Sequence, residues 1–208
     1  MRIERARRKF TNESNRYDVK RERLVMCART LGEQGNAAKV SVTGVTNEMG
    51  ITRGLFYYYF GGKSELNYAV ADTYVNDVLG KVTQVVEEHP DVREEAVAGI
   101  VDAVREWMFD EAGNERPMLH VLNEISLEEY VYACVANGIA KIMCDRGLLT
   151  DYGRLGDEAL LVRARLVTYG ILGEARLEQE ESASVQAEAA CAALRYRKRR
   201  VPSKEQGE

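Results

Sequence analysis

Residues 50–66 read GITRGLFYYYFGGKSEL, and they decide the fold. Gly50 is placed to close one short helix, and Thr52, with Arg53 beside it, opens the next. That second helix carries Phe56, Tyr57, Tyr58, Tyr59 and Phe60 in succession, then two glycines, then Lys63 at the mouth of a third helix. On a wheel of about 100° per residue, Leu55, Phe56, Tyr59 and Phe60 share one arc, while Arg53, Gly54, Tyr57 and Tyr58 share the other. Three aromatics are therefore expected to face a core and two to face outward. Outward phenols beside a guanidinium suit a phosphate backbone: a Tyr hydroxyl donates to phosphate oxygens, its ring lies against sugar, and Arg53 reaches a phosphate or a guanine edge. Gly54 lets such a helix approach a groove closely. Thr52 and Lys63 both lie at helix N-termini, where backbone N–H groups and the dipole favour anions. Thr52 reads equally well as a plain cap.

Working upstream, Ser41 is a good N-cap for a helix ending at Gly50, with Val40 and Val45 as a hydrophobic staple. Ile51 and Phe56 form a second staple. The turn between the two short helices is three or four residues long, which makes a helix-turn-helix. Ser41 and Thr43 join Thr52, Arg53, Gly54, Tyr57, Tyr58 and Lys63 as expected DNA contacts. Before them a helix from Tyr17 to Gln34 buries Leu24, Val25, Ala28 and Leu31 and stops at Gly35. Residues 1–16 carry Arg2, Arg5, Arg7, Arg8, Lys9 and Arg16 with few large apolar groups and read as a mobile basic arm.

Downstream, a helix over 63–88 is broken by His89-Pro90-Asp91. Helices follow near 92–110, 117–146 (one or two), 157–179 and 183–198, punctuated by Gly113, Pro117, Gly147 and Gly153. The fold class is all-α: a helix-turn-helix domain at 17–66, a helical body at 67–198 and a flexible tail at 199–208.

The net charge of -4 hides a split. Residues 1–66 hold 13 Lys/Arg against 7 Asp/Glu, residues 67–194 hold 10 against 24, and the last fourteen hold 6 against 2. A basic head on an acidic body is the footprint of a chain whose head alone meets a polyanion. No apolar run approaches the roughly 18 residues of a membrane span, and no apolar segment follows the charged N-terminus as a secretory signal would. Cys27, Cys134, Cys144 and Cys191 fit no metal spacing, and reduced, buried thiols in the cytoplasm are the expectation. His89 and His120 belong to no triad or metal cluster, so neither a metal nor another cofactor is expected.

The stretch from Val19 to Val70 resembles the DNA-binding domain of the TetR family of bacterial transcriptional regulators. Their pattern runs Gly-Val-Ser-x-Gly-x-Leu-Tyr-x-Tyr/His-Phe-x-x-Lys-x-x-Leu. This chain supplies Gly50, Ile51, Thr52, Arg53, Gly54, Leu55, Phe56, Tyr57, Tyr58, Tyr59, Phe60, Lys63 and Leu66 in that register without a gap. It departs at Thr46 and Met49, where the family often has Ala, at Gly44, and at Gly62, which replaces a polar cap. The resemblance implies a homodimer on a palindromic operator, with a body that takes a small-molecule effector and dimerises through its last two helices. Leu166, Gly170, Ala189, Ala193 and Tyr196 are the expected dimer contacts. Trp107, Met108, Met118, His120, Asn123, Tyr130, Cys134, Asn137 and Tyr169, which mix apolar walls with polar handles, are the expected effector contacts. The expected function is a ligand-responsive repressor whose partners are double-stranded DNA and a second copy of itself, with no membrane. Two other readings are a helical protein-interaction module with a non-reading head, and an all-α enzyme using the body pocket. The first conflicts with the intact Tyr and Lys set. The second lacks any catalytic group set.

Overall fold

The computed structural model describes residues 2–35, 40–89, 93–148, 157–176, 189, 190 and 193; of residues 2–16, 93, 157 and 174–176 it describes the backbone alone. Among them run eight helices: α1 (Arg2–Glu33), α2 (Val42–Glu48), α3 (Arg53–Tyr59), α4 (Lys63–Glu88), α5 (Arg93–Met108), α6 (Pro117–Glu124), α7 (Glu128–Asp145) and α8 (Asp157–Arg176). The only extended pairing in the described residues is a single bridge between Phe109 and Glu115. No helix there is long and apolar enough to cross a membrane.

Local chemistry sets most of these boundaries. Ser41 caps α2 by accepting the Gly44 N–H at 3.1 Å, and Thr52 caps α3 by accepting the Leu55 N–H at 3.2 Å. Between them α2 ends in a Schellman turn. Gly50 takes φ +62°, its N–H donates to Asn47 O, and the Ile51 N–H reaches back to Thr46 O at 3.0 Å. A β-carbon is costly at that φ, so glycine is the residue the turn asks for.

One expectation needs correction, and one open alternative is decided. Residues 2–16, read as an arm, continue α1 as helix from Arg2; their Arg, Lys, Glu and Ala are strong helix formers, and no Gly or Pro interrupts them. The 117–146 segment, left open, is two helices. Ser126 sits at φ +56°, Leu127 N–H donates to Leu122 O, and Ser126 N–H donates to Asn123 O, so a serine does there what Gly50 does for α2.

The chain forms two compact units. One comprises Met1–Val78 and Glu106–Ala133, the other Leu79–Arg105 and Cys134–Glu208. The first unit thus reaches past the boundary expected after Leu66 and takes in α6. Its core gathers Leu24, Ala28 and Leu31 of α1, Val45 of α2, Phe56 and Phe60, Leu66, Val70 and Tyr74 of α4, and Val121 and Leu122 of α6, all buried. α1 passes α6 so closely at Gly32 that a β-carbon there would lie 2.9 Å from a Val121 methyl. In the second unit, Val82 and Val86, Val97, Ile100, Val101 and Val104, Val135, Ile139 and Met143, and Ile171 and Leu172 are buried. Here too glycines set the crossings: a β-carbon at Gly99 would run into a Val85 methyl, and one at Gly138 into the Leu79 methyls.

Candidate nucleic-acid interface

α3 is seven residues long and two-sided. Phe56, Tyr59 and Phe60 are buried, while Tyr57 and Tyr58 are 54% and 66% exposed, with Arg53 and Gly54 on the same outer side. The division of the five aromatics expected from the wheel is the one observed. Leu55 is the exception. Expected inward, it is 37% exposed and lies on the helix flank, where it lines a cavity of about 230 Å³ with Leu24, Met49, Ile51 and Tyr59. A seven-residue helix buries a stripe narrower than the wheel's arc, and Leu55 falls at its edge.

The outer side is organised by contacts that the sequence did not announce. Arg53 Nη2 donates to Thr43 Oγ1 at 2.9 Å, which joins α3 to α2 on the exposed surface and makes the two expected contact residues one hydrogen-bonded pair. Tyr58 packs edge-on against Tyr17 of α1, ring centres 5.5 Å apart, and Tyr17 also lies against Tyr59 at 4.9 Å. Tyr17 was missed as a supporting residue because its partners are some forty positions away. Tyr57 is the less supported ring; it meets Phe56 edge-on at 5.5 Å. Ser41 and Thr52 both use an oxygen lone pair in capping, which leaves each hydroxyl proton outside the cap bond. Gly54 meets nothing closer than 3.9 Å from an added β-carbon, and its φ is not positive, so nothing among the described residues requires glycine there. Its absence of a side chain costs helix propensity with no internal return.

Lys63 is exposed at the first position of α4. The junction behind it is held by Glu65, whose carboxylate accepts the Gly61 N–H at 2.7 Å and pairs with Arg21 of α1 at 3.3 Å. Those two contacts, the Gly61 bond first, hold the Glu65 carboxyl below the usual glutamate range. Arg21 also lies over the Phe60 ring, 4.7 Å from its centre. A Glu three residues after Gly62 is a capping-box spacing, and that was the available signal for this role.

No family model and no curated protein matches this sequence. Solved structures share its fold. The multidrug binding protein EbrR, complexed with imidazole, superposes at a TM-score of 0.61 with 16% identity over 86% of this chain and 96% of its own. The TetR family repressor AlkX from Dietzia sp. strain DQ12-45-1b gives 0.59 and 16% over 84% and 94%. The R. erythropolis transcriptional repressor QsdR, from the TetR family, gives 0.54 and 12% over 88% and 99%. The chain has the TetR fold.

Within that TetR fold, Trp107 and Met118 of the expected effector residues line one cavity, and the others are not part of its lining. Trp107, Met108 and Met118 are buried. The His120 side chain is 73% exposed, its Nε2 4.0 Å from Glu115, and so forms no cavity wall. Asn123, Asn137 and Tyr169 are exposed, and Cys134 is half-buried. Tyr130 donates to Asp72 Oδ1 at 2.7 Å and meets the Tyr68 ring edge-on at 5.0 Å. Cys27, Cys134 and Cys144, expected buried, are half-buried. Of the dimer candidates, Leu166 is 69% exposed and Gly170 is exposed with open space around it. Val162 and Tyr169 are exposed on the same side of α8. Ala189 is exposed, and the Ala193 carbonyl accepts Arg163 Nη2 at 2.7 Å. Tyr196 lies outside the described residues.

Proposed function

We propose that this protein is a DNA-binding transcriptional regulator: a homodimer that places one α3 per subunit in successive major grooves of a palindromic operator and releases it when a small molecule binds. The observation that carries the reading is the sidedness of α3. Phe56, Tyr59 and Phe60 are buried in the first unit, while Tyr57, Tyr58 and the Arg53–Thr43 pair stand outward. Tyr57 and Tyr58 donate to phosphates, Arg53 reaches a phosphate or a guanine edge, and Lys63 takes a phosphate at the start of α4. Gly54 supports the same reading, since a helix that gives up propensity without internal need gains by close approach to an outside surface.

The exposed α8 stripe of Val162, Leu166, Tyr169 and Gly170 supports dimerisation. Two heads read one site only if their spacing matches a helical turn of DNA, roughly 34–36 Å. Repression rather than activation is the sense favoured by the solved repressors of this fold.

The test is a mobility shift with fragments of the DNA flanking the gene. Binding should fall steeply with salt, by about 10³-fold or more between 50 and 200 mM if six or more phosphates are neutralised. Tyr57→Ala and Lys63→Ala should each weaken it. A flat salt response, or undiminished binding by both variants, removes the proposal. Genomic fragments recovered by selection would separate it from an interaction module or an enzyme, neither of which enriches one sequence.

A further inference from the structure

Within the first unit, α1, α4, α5 and α6 wall a cavity of about 310 Å³, at the small end of ligand-sized pockets, which run from about 300 to 1,000 Å³. Two hydrogen-bonding groups on its lining residues are buried without a partner: the Tyr74 hydroxyl and the Trp107 indole N–H. Native cores seldom leave such groups unmet, and two at one cavity call for an explanation. The indole can only donate. Burial foremost, then the Glu33 carboxylate through its charge and a weak contact with the hydroxyl, pushes the Tyr74 phenol far above its ordinary range, so it too keeps its proton; that contact misses the geometry of a hydrogen bond, and the hydroxyl stays available to a better acceptor.

The charged groups at the same walls are already occupied. Arg29 bonds Glu33 at 2.9 Å and Asp77 at 2.7 Å and lies over the Tyr74 ring. Arg116 Nε donates to the Glu106 and Phe109 carbonyls. Two arginines against Glu33, Asp77 and Glu106 leave the lining one charge negative, which disfavours a carboxylate guest. What remains unmet is a need for acceptors, beside the apolar surface of Met118 and the two rings.

We propose that this cavity binds a small uncharged molecule bearing a hydrogen-bond acceptor, in class a cyclic amide, ester or ketone, whose oxygen takes the Trp107 and Tyr74 protons. That it is the effector site rests on the regulator reading above; α1 and α4, which wall the cavity, also hold the α3 junction through Arg21 and Glu65.

Trp107 is the single tryptophan of the chain, so its emission reports occupancy directly. Titration of the intact protein with N-methylcaprolactam should give a saturable emission shift, and cyclohexylacetate should give none. Tyr74→Phe should weaken lactam binding by at least about tenfold, the loss of one buried hydrogen bond, and should raise the thermal midpoint of the free protein by removing an unmet hydroxyl. If that variant does not fold, Met118→Phe, which puts a rigid ring in place of a flexible wall and spares both donors, should weaken lactam binding by a similar factor. No saturable shift in the parent, equal lactam affinity in Tyr74→Phe, or tighter binding of cyclohexylacetate overturns the assignment. Operator binding is measured in parallel. A chain that takes the lactam but enriches no DNA sinks the regulator reading and leaves the cavity assignment standing; a chain that binds DNA but no lactam does the reverse.

Discussion

Tyr57 offers the sharpest single-residue test, because its hydroxyl can be removed without disturbing a core. Its ring meets only the edge of Phe56 among the aromatic contacts of α3, and it is largely exposed. Tyr57→Phe should leave the denaturation midpoint within about 0.5 kcal/mol of the parent, as surface changes do. Operator affinity, measured by fluorescence anisotropy, should fall about tenfold, the worth of a hydrogen bond to a charged oxygen. Tyr58 would give a less clean answer, since Tyr17 packs on it and both functions would change together. Gly54 gives the opposite pattern. Gly54→Ala meets no close neighbour among the described residues, so thermal unfolding should show a gain of up to about 1 kcal/mol. If α3 faces DNA as proposed, the same methyl should weaken operator binding; a variant both more stable and equally tight would mean that α3 does not lie close in a groove.

At the scale of elements, the α3–α4 junction depends on a carboxylate. Glu65 holds the Gly61 N–H and Arg21, and its carboxyl is depressed by them. A depressed carboxyl contributes stability above its unfolded value that disappears as pH falls through the folded one. Glu65→Gln should therefore cost stability at pH 7 and close to nothing at pH 3, read from urea unfolding at both. A cost that is constant with pH would mean that the carboxylate is not what fixes the turn. The short helices of the head were legible because their signals are local: Ser41, Gly50 and Thr52 each act within five residues. What escaped the sequence was non-local or lacked a marked residue. Ser126 ends α6 in a conformation usually advertised by Gly. Leu55 sits at the margin of a buried stripe too short for a wheel to resolve. Tyr17 and Arg21 support the site from α1, across distances in sequence that no periodicity spans. The cavity at Trp107 is of the same kind; Trp107 and Met118 were singled out, but Arg29, Glu33 and Tyr74 come from helices whose patterns say only that they are amphipathic.

For the molecule as a whole, the proposed dimer turns on α8. Leu166 is the most exposed large apolar side chain on it, flanked by Val162 and Tyr169. Leu166→Glu should shift sedimentation from dimer to monomer and weaken operator binding by far more than any loss of fold, because two tethered heads bind much more tightly than one. A monomeric parent, or a dimer indifferent to this change, would put the contact elsewhere. The crossings inside the second unit carry a different consequence. Gly99 sits against Val85 and Gly138 against Leu79, each with no room for a methyl. Bulk at such a crossing is shared between two positions rather than fixed at either. Gly99→Ala and Val85→Ala should each lower the melting temperature, one by crowding and one by a void, while the double substitution recovers part of both, a coupling of about 0.5–3 kcal/mol. Over evolutionary drift, side-chain volumes at 99 and 85 should then move in opposite directions, and a lineage that enlarges one without trimming the other should be rare.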